Sequence, residues 1–254
     1  MLKQLLQIFC PFLFTLSLFA QNSPAANEGR AILVDINYGV ALPGGDMADR
    51  FGVNFDAGLG VEMLRQNNWI FGFGGGFIFG NQVDDLVLKD LATEGEGFII
   101  GSNATFADVN LRERGFHAEA RLGKLIPLLK TNKRSGIRAV LGLGFLQHKI
   151  RLQEDPQSFV PQILGDFKKG YDRLSNGFMV SEFIGYQHLS RNKLINFYAG
   201  FELTQAFTQN RRDYDFATQQ ESDKSTRTDL LYGFKVGWIL PFYISKKNAE
   251  SIRY

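Results

Sequence analysis

The chain has 254 residues, with 28 lysines and arginines against 26 aspartates and glutamates and a formal charge of +2. A balance so near neutrality leaves no basic footprint for nucleic acid, and a single cysteine excludes a disulfide framework or a cysteine-ligated metal. Glycine (27) and phenylalanine (24) are both abundant, which suits a wall of strands with rings on one side and room on the other.

Met1 to Ala20 reads MLKQLLQIFCPFLFTLSLFA. Lys3 supplies the short positive region, Leu5 to Phe19 the apolar region, and Leu18-Phe19-Ala20 ahead of Gln21 a cleavage site, the pattern of a secretory signal peptide. The apolar run holds Gln7 and Pro11 and falls short of the ~20 residues of a spanning helix. Cys10 lies inside this segment and away from the cleavage site, so no lipoprotein anchor is expected and the mature chain carries no cysteine. No stretch elsewhere reaches about 18 consecutive apolar residues, so no helical span is expected. Gln21 to Arg30 is a polar, flexible lead-in.

Ala31 to Ala41 then alternates, with Ile32, Val34, Ile36, Tyr38 and Val40 on one face and Asp35, Asn37 and Gly39 on the other. A period of two marks a strand. Leu42 to Arg50 is a turn-rich loop. Phe51 to Met63 is the clearest strand of all: Phe51, Val53, Phe55, Ala57, Leu59, Val61 and Met63 alternate with Gly52, Asn54, Asp56, Gly58, Gly60 and Glu62. One face is wholly apolar. The other carries carboxylates and glycines, a poor composition for a packed core and a good one for a membrane barrel with a polar interior.

Arg65 to Asn68 is a tight turn. Trp69 to Gly80 places Trp69, Phe71, Phe73, Phe77 and Phe79 against Gly72, Gly74, Gly76 and Gly80. A phosphate loop would need a helix after the glycines. Alternation runs straight through instead, so the inward glycines make room for large side chains of neighbouring strands. Asn81 to Asn110 is a long acidic loop with an Asn103-Ala104-Thr105 sequon. Leu111 to Leu122 is the fourth strand, and Lys124 to Ser135 a basic turn containing Pro127. Gly136 to Leu152 is the fifth strand, with a bulge expected near Leu146 where alternation breaks.

Gln153 to Asn176 is another long loop. In the sixth strand, Gly177 to Leu189, Phe183 and Ile184 compete for the lipid face. After the turn at Ser190 to Lys193 comes the seventh, Leu194 to Thr208. A charged loop, Gln209 to Thr228, leads to the eighth, Asp229 to Phe242. Ten residues at ~3.4 Å rise and ~45° tilt climb roughly 24 Å, close to the ~25 Å apolar band of membrane barrels. Loops run long, short, long, middling, long, short, long, the order expected with the N-terminus in the periplasm. Gly123 to Leu129 and Gly237 to Tyr243 share Gly-x-x-x-Pro plus two bulky residues. That is either a common rim signal or the trace of a duplicated half.

With eight alternating strands, the final strand YGFKVGWILPFY and the signal peptide on the page, the chain resembles the small eight-stranded outer-membrane barrels, the family of the OmpA transmembrane domain and OmpX. The Leu-Phe-Ala-Gln cleavage site and the Gly-Trp-x-x-Pro ending also resemble uncharacterised Bacteroidota barrels. The resemblance implies an all-β, closed antiparallel transmembrane barrel over 31–243, after a signal peptide (1–20) and lead-in (21–30), with a short tail at 244–254. It implies a Gram-negative outer-membrane location in the cell envelope, contact with outer-membrane lipid, and a monomer. It departs from the family at its end: Ile244 to Arg253 follow the last strand, leaving Tyr254 as the terminal aromatic.

Some barrels of this kind are lipid acyltransferases, lipases or proteases. Here His117, His148 and His188 are spread over three strands, and no G-x-S-x-G or H-E-x-x-H occurs. His117 with Glu119 is too small a set for a metal, so the reading is non-enzymatic with no cofactor. Asp35, Asp56, Glu62, Glu119, Arg121, Arg138, Glu202 and Lys235 are expected to face the lumen and pair there, because single buried charges are costly. Trp69, Phe197 and Trp238 are expected to form a periplasmic aromatic girdle. Lys130, Lys133, Lys246 and Lys247 are expected to make a basic periplasmic rim. The functional expectation is a structural and interaction anchor for a periplasmic or cell-surface partner, with a porin-like shape but a filled lumen. The alternative is a narrow channel or small-ligand transport barrel.

Overall fold

The computed structural model describes residues 29–84, 87–92, 99–102, 104–154, 160–190 and 194–244. The signal peptide, nearly all of the lead-in, Asn103 of the sequon, and Lys246, Lys247 and Tyr254 of the tail lie outside them.

Eight strands close into an antiparallel barrel. They are β1 (Arg30–Gly45), β2 (Asn54–Leu64), β3 (Trp69–Gly80), β4 (Val109–Leu129), β5 (Asn132–Glu154), β6 (Ser175–Leu189), β7 (Asn196–Asn210) and β8 (Arg227–Ile244). Each pairs with its sequence neighbour, and β8 closes on β1 from Arg30↔Ile244 to Gly45↔Asp229. Two short strand pairs, Ile99–Ile100 with Phe106–Ala107 and Tyr214–Asp215 with Gln220–Glu221, decorate the loops.

The register fixes the shape. Val34 lies opposite Val61, and the same row continues through Phe73, Ala120, Leu143, Val180, Gln205 and Leu230, to return on β1 at Gly44, ten residues beyond its start. Ten residues of ~3.3 Å set against eight strands spaced ~4.8 Å tilt the strands about 40° from the axis. Each residue then climbs ~2.5 Å along the axis, and each step to the next strand ~3 Å.

Side chains sort by this geometry into an outer belt and a filled interior. Ile36, Leu59, Phe73, Leu143, Phe201, Phe234 and Val236 are exposed on the outside. The interior has three layers. Near the chain termini, Ala31, Leu33, Leu64, Ile70, Leu125, Phe183, Leu189, Tyr198 and Ile239 form one apolar cluster. At the far end, Ile78, Leu146, Ile150, Met179 and Leu231 meet Met47, Phe51, Val87, Val160, Ile163 and Tyr171 from the loops. Charged and polar residues occupy the space between.

Several expectations change for this reason. Phe51 was expected as the lipid-facing start of a strand, but β2 begins at Asn54 and Phe51 is 2 % exposed within the far cluster, bridged to Val83. The bulge expected near Leu146 is absent: pairing of β4 with β5 is continuous there, and Leu146 breaks the alternation because it faces the apolar plug. The basic turn 124–135 is instead mostly strand, with β4 running to Leu129 and β5 starting at Asn132. The register shift falls between Pro127 and Leu129, where a proline without an N–H disturbs the ladder. In β6, Phe183 turns inward against the Tyr198 ring (5.4 Å, 79°) and Ile184 takes the outer face.

Candidate functional site

The strands bring the eight expected lumen charges into two groups. In the first, Arg138 Nη2 donates to both Glu62 carboxylate oxygens (2.6 and 2.7 Å), and its Nη1 donates to Gln187 Oε1 (2.8 Å). Arg121 Nε donates to Glu119 Oε1 (2.6 Å), while its Nη1 lies 3.4 Å from Glu62 and 3.8 Å from Asp35. Tyr198, placed on β7 beneath the Arg138 guanidinium (4.7 Å), donates its hydroxyl proton to Asp35 (2.8 Å). Asn37 Nδ2 donates to the same oxygen, and Ser181 Oγ donates to Glu119 Oε2 (2.5 Å). In the second group, Lys235 Nζ reaches Glu202 (2.5 Å) and Asp56 (3.2 Å), and His117 Nε2 meets Asp56 (3.0 Å).

Glycine makes the first group possible. A Cβ on Gly74 would stand 2.2 Å from Arg121 Cζ, and one on Gly60 2.1 Å from Asp35 Oδ2. The guanidinium therefore lies flat on the bare backbone of β3, held by its carboxylates. Between the two groups the remaining space is small: one cavity of about 30 Å³ beside Asp56, His117 and Glu202, and another of about 10 Å³ beside Arg121 and Arg138. A cavity needs roughly 10–15 Å³ to hold one water.

Sequence reading missed a third polar cluster because its members lie far apart in the chain. His148 Nε2 is 2.8 Å from Asp229 Oδ2, Thr208 Oγ1 donates to the same oxygen (2.6 Å), and the Phe51 ring stands edge-on to His148 (5.6 Å). His148 is 1 % exposed beneath the far apolar plug. Among the described residues no group of three or more His, Cys, Asp or Glu is arranged to hold a metal.

Aromatic residues form two tiers on the outside. Trp238 lies opposite Ile36, Ile36 opposite Leu59, and Leu59 opposite Gly75, six residues past Trp69. Three strand steps up and six residues down leave the two tryptophans within about 6 Å of one height. Phe197 is the direct partner of Trp238 and lies against Tyr186 (6.5 Å). Phe71 and Phe79 lie on one strand, eight residues apart, so the second tier stands about 20 Å higher. Phe55 with Phe79 (5.9 Å) and Phe116 with Phe145 (6.0 Å) belong to it. The outer faces between the tiers are mostly aliphatic, aromatic or glycine-alanine, with one charged residue among those described: Glu182 on β6 points out at mid-height, between Leu141 and Leu203.

At the rim that carries the termini, Lys130 and Lys133 are exposed at the β4–β5 turn, and Arg65 is exposed at the β2–β3 turn. Lys124 is engaged: its Nζ donates to Asn67 O (2.8 Å) and sits 4.9 Å over the Trp69 ring. Arg134 is buried and closes this end, donating to Arg65 O and Asn68 Oδ1 (both 2.8 Å) and to Gly29 O. His188 sits here also, 3.3 Å from Ser135 Oγ.

No protein-family model and no curated protein matches the sequence. Among solved structures, the attachment invasion locus protein Ail of Yersinia pestis, in complex with the heparin analogue sucrose octasulfate, is similar at 10% identity and TM-score 0.37, covering 83% of this chain and 99% of that one. Neisserial surface protein A is similar at 10% identity and TM-score 0.40, over 83% and 99%. The N-terminal barrel domain of Pseudomonas aeruginosa OprF is similar at 10% and 0.33, over 82% and 96%. The ring of eight antiparallel strands, the apolar outer belt between two aromatic tiers, and the charged interior give this chain the architecture of a small membrane-spanning β-barrel.

Proposed function

We propose that the barrel is a non-conducting anchor that holds an interaction surface in the outer membrane. The observation that carries this reading is the Arg138–Glu62 pair across the lumen, backed by Arg121, Gln187 and Tyr198. Eight strands leave an interior just wide enough for side chains. Here apolar layers cap the charged layer above and below, so an ion would have to part the charged pairs and cross two apolar layers.

Function then resides on the two rims. The exposed Lys130 and Lys133, together with Lys246 and Lys247 of the tail, fit an acidic periplasmic partner or anionic inner-leaflet headgroups. Purified barrel in planar bilayers should show no steady conductance at neutral pH. A stable, voltage-independent conductance from folded wild-type protein would instead favour the channel reading. Replacing the four lysines with Gln should remove periplasmic crosslinks in cells while insertion is kept; retention of every crosslink would end the docking role of this rim.

A further inference from the structure

Above the second aromatic tier the outer face of the β4–β5 hairpin changes character. Arg112 stands directly opposite Arg151, and Arg114 directly opposite Lys149. All four lie on the face that carries Phe116, Leu122, Leu141 and Phe145 lower down, because each is an even number of residues from those side chains. Two rungs of cation facing cation are unfavourable on an isolated sheet. A chain that only needed solubility there would alternate the sign.

Among the described residues, the nearby acids do not neutralise them. Glu113 faces the lumen and is fully buried. Glu154 is taken by Lys168 (2.9 Å). Asp172 receives Arg212 through two contacts (2.5 and 2.7 Å) and lies only at 3.9 Å from Lys149. Arg114 Nη1 donates to the backbone carbonyls of Glu113 (2.5 Å) and Gly80 (3.5 Å), which leaves its charge without a counter-ion among the described residues. Arg112 and Arg151 make no side-chain hydrogen bond or ion pair among the described residues.

We propose that this outward face, immediately above the Phe116–Phe145 pair, binds the phosphate of a phosphorylated lipid headgroup in the outer leaflet, with Arg112, Arg114, Lys149 and Arg151 as its cationic ligands. The height selects a lipid over a soluble anion. Aromatic rings mark the membrane–water interface, and the four cations begin one rung beyond Phe116, where headgroup phosphates lie. The side chains also choose phosphate: a guanidinium offers two parallel N–H donors that match two phosphate oxygens, and Lys149 adds a point charge. Acyl chains of the same lipid would lie against Phe116, Ala118 and Phe145 below. This assignment rests on the outer-membrane reading above, but it does not depend on a closed lumen.

The test uses the folded barrel in detergent micelles and native mass spectrometry. The probes are bis-phosphorylated lipid A, fully dephosphorylated lipid A, and inorganic phosphate. The wild type should bind the phosphorylated lipid at least about tenfold more tightly than the dephosphorylated one, and excess inorganic phosphate should not displace it. R112Q/R151Q, which removes one like-charge rung and so should fold at least as well, should lose that preference. R112K/R151K should keep most of it, and K130Q/K133Q on the opposite rim should keep all of it. Equal binding of both lipids, displacement by inorganic phosphate, or an equal loss in K130Q/K133Q would each overturn the assignment. A barrel that stays soluble without detergent would instead overturn the membrane reading itself.

Discussion

Arg138 sits at the centre of the interior, 2 % exposed, with Glu62, Gln187 and the Tyr198 ring around it. A buried pair of this kind adds little net stability, but breaking it strands a charge, at a cost of about 3–5 kcal/mol. Arg138→Met should therefore lower unfolding stability in lipid vesicles by about that amount, and adding Glu62→Leu should restore part of it. A loss in the double variant equal to the sum of the two single losses would mean the two residues act independently. Glu182 poses the opposite case. Its carboxylate lies on the lipid belt between Leu141 and Leu203 with no hydrogen bond or ion pair among the described residues. Glu182→Leu should stabilise the barrel by up to ~2 kcal/mol. An unchanged or lower urea midpoint would show that the carboxylate has a use in the membrane.

At the scale of elements, β3 illustrates how local composition sets packing between strands. Its inward glycines leave the space that Arg121 fills, so Gly74→Val should displace the guanidinium from Glu119 and cost about 1–3 kcal/mol. A variant of wild-type stability would mean that Arg121 has another berth. Among the loops, the segment between β7 and β8 is tied by a short strand pair, by Arg173–Asp215 and by the Tyr171–Phe216 rings, with surface carboxylates adding to these. The Asp213 carboxyl is kept below its ordinary range by its hydrogen bond and ion pair with Lys224 (2.6 Å), and that of Asp223 by hydrogen bonds from Ser225. A lowered folded value gives stability that is complete above the unfolded value of about 4 and is lost as pH falls through the folded one. Amide exchange in 211–226, corrected for intrinsic rate, should rise only below about pH 4. A rise between pH 5 and 8 would contradict that role for the two aspartates.

The elements also show what was legible. Trp69–Gly80 could be bounded from sequence because rings recur on its outer face from Trp69 to Phe79, opposite the inward Gly72, Gly74, Gly76 and Gly80, and only Ile70 and Ile78 reach the apolar layers at its ends. The strand ends at the far side were not legible, because there the interior turns apolar and alternation fades. Phe51 and Leu146 look like lipid-facing residues in sequence, yet both face the plug beneath the loops. Phe183 was ambiguous for the same reason at the other end, where Tyr198 offers it an aromatic partner inside. The His148–Asp229 contact spans 81 residues and follows no local pattern. The paired cations of β4 and β5 were invisible until register set Arg112 against Arg151 and Arg114 against Lys149.

For the molecule as a whole, one physical demand organises the rest: a lipid-facing surface must be apolar while every backbone group finds a partner, and only closure satisfies both. The belt meets that demand on all eight strands save at Glu182 of β6, and the interior is free to be charged because its charges pair. The single cysteine of the chain lies in the segment read as a signal peptide, so cysteines introduced one at a time report without background. The most direct measurement is spin labelling at Phe197, Ala199, Phe201, Leu203, Gln205 and Phe207 along the outer face of β7, in reconstituted bilayers. Collision with oxygen dissolved in the membrane should peak at Phe201 and Leu203 and fall toward both ends, while collision with a water-soluble nickel complex should do the reverse. A flat, water-like profile along β7 would contradict a membrane-spanning barrel.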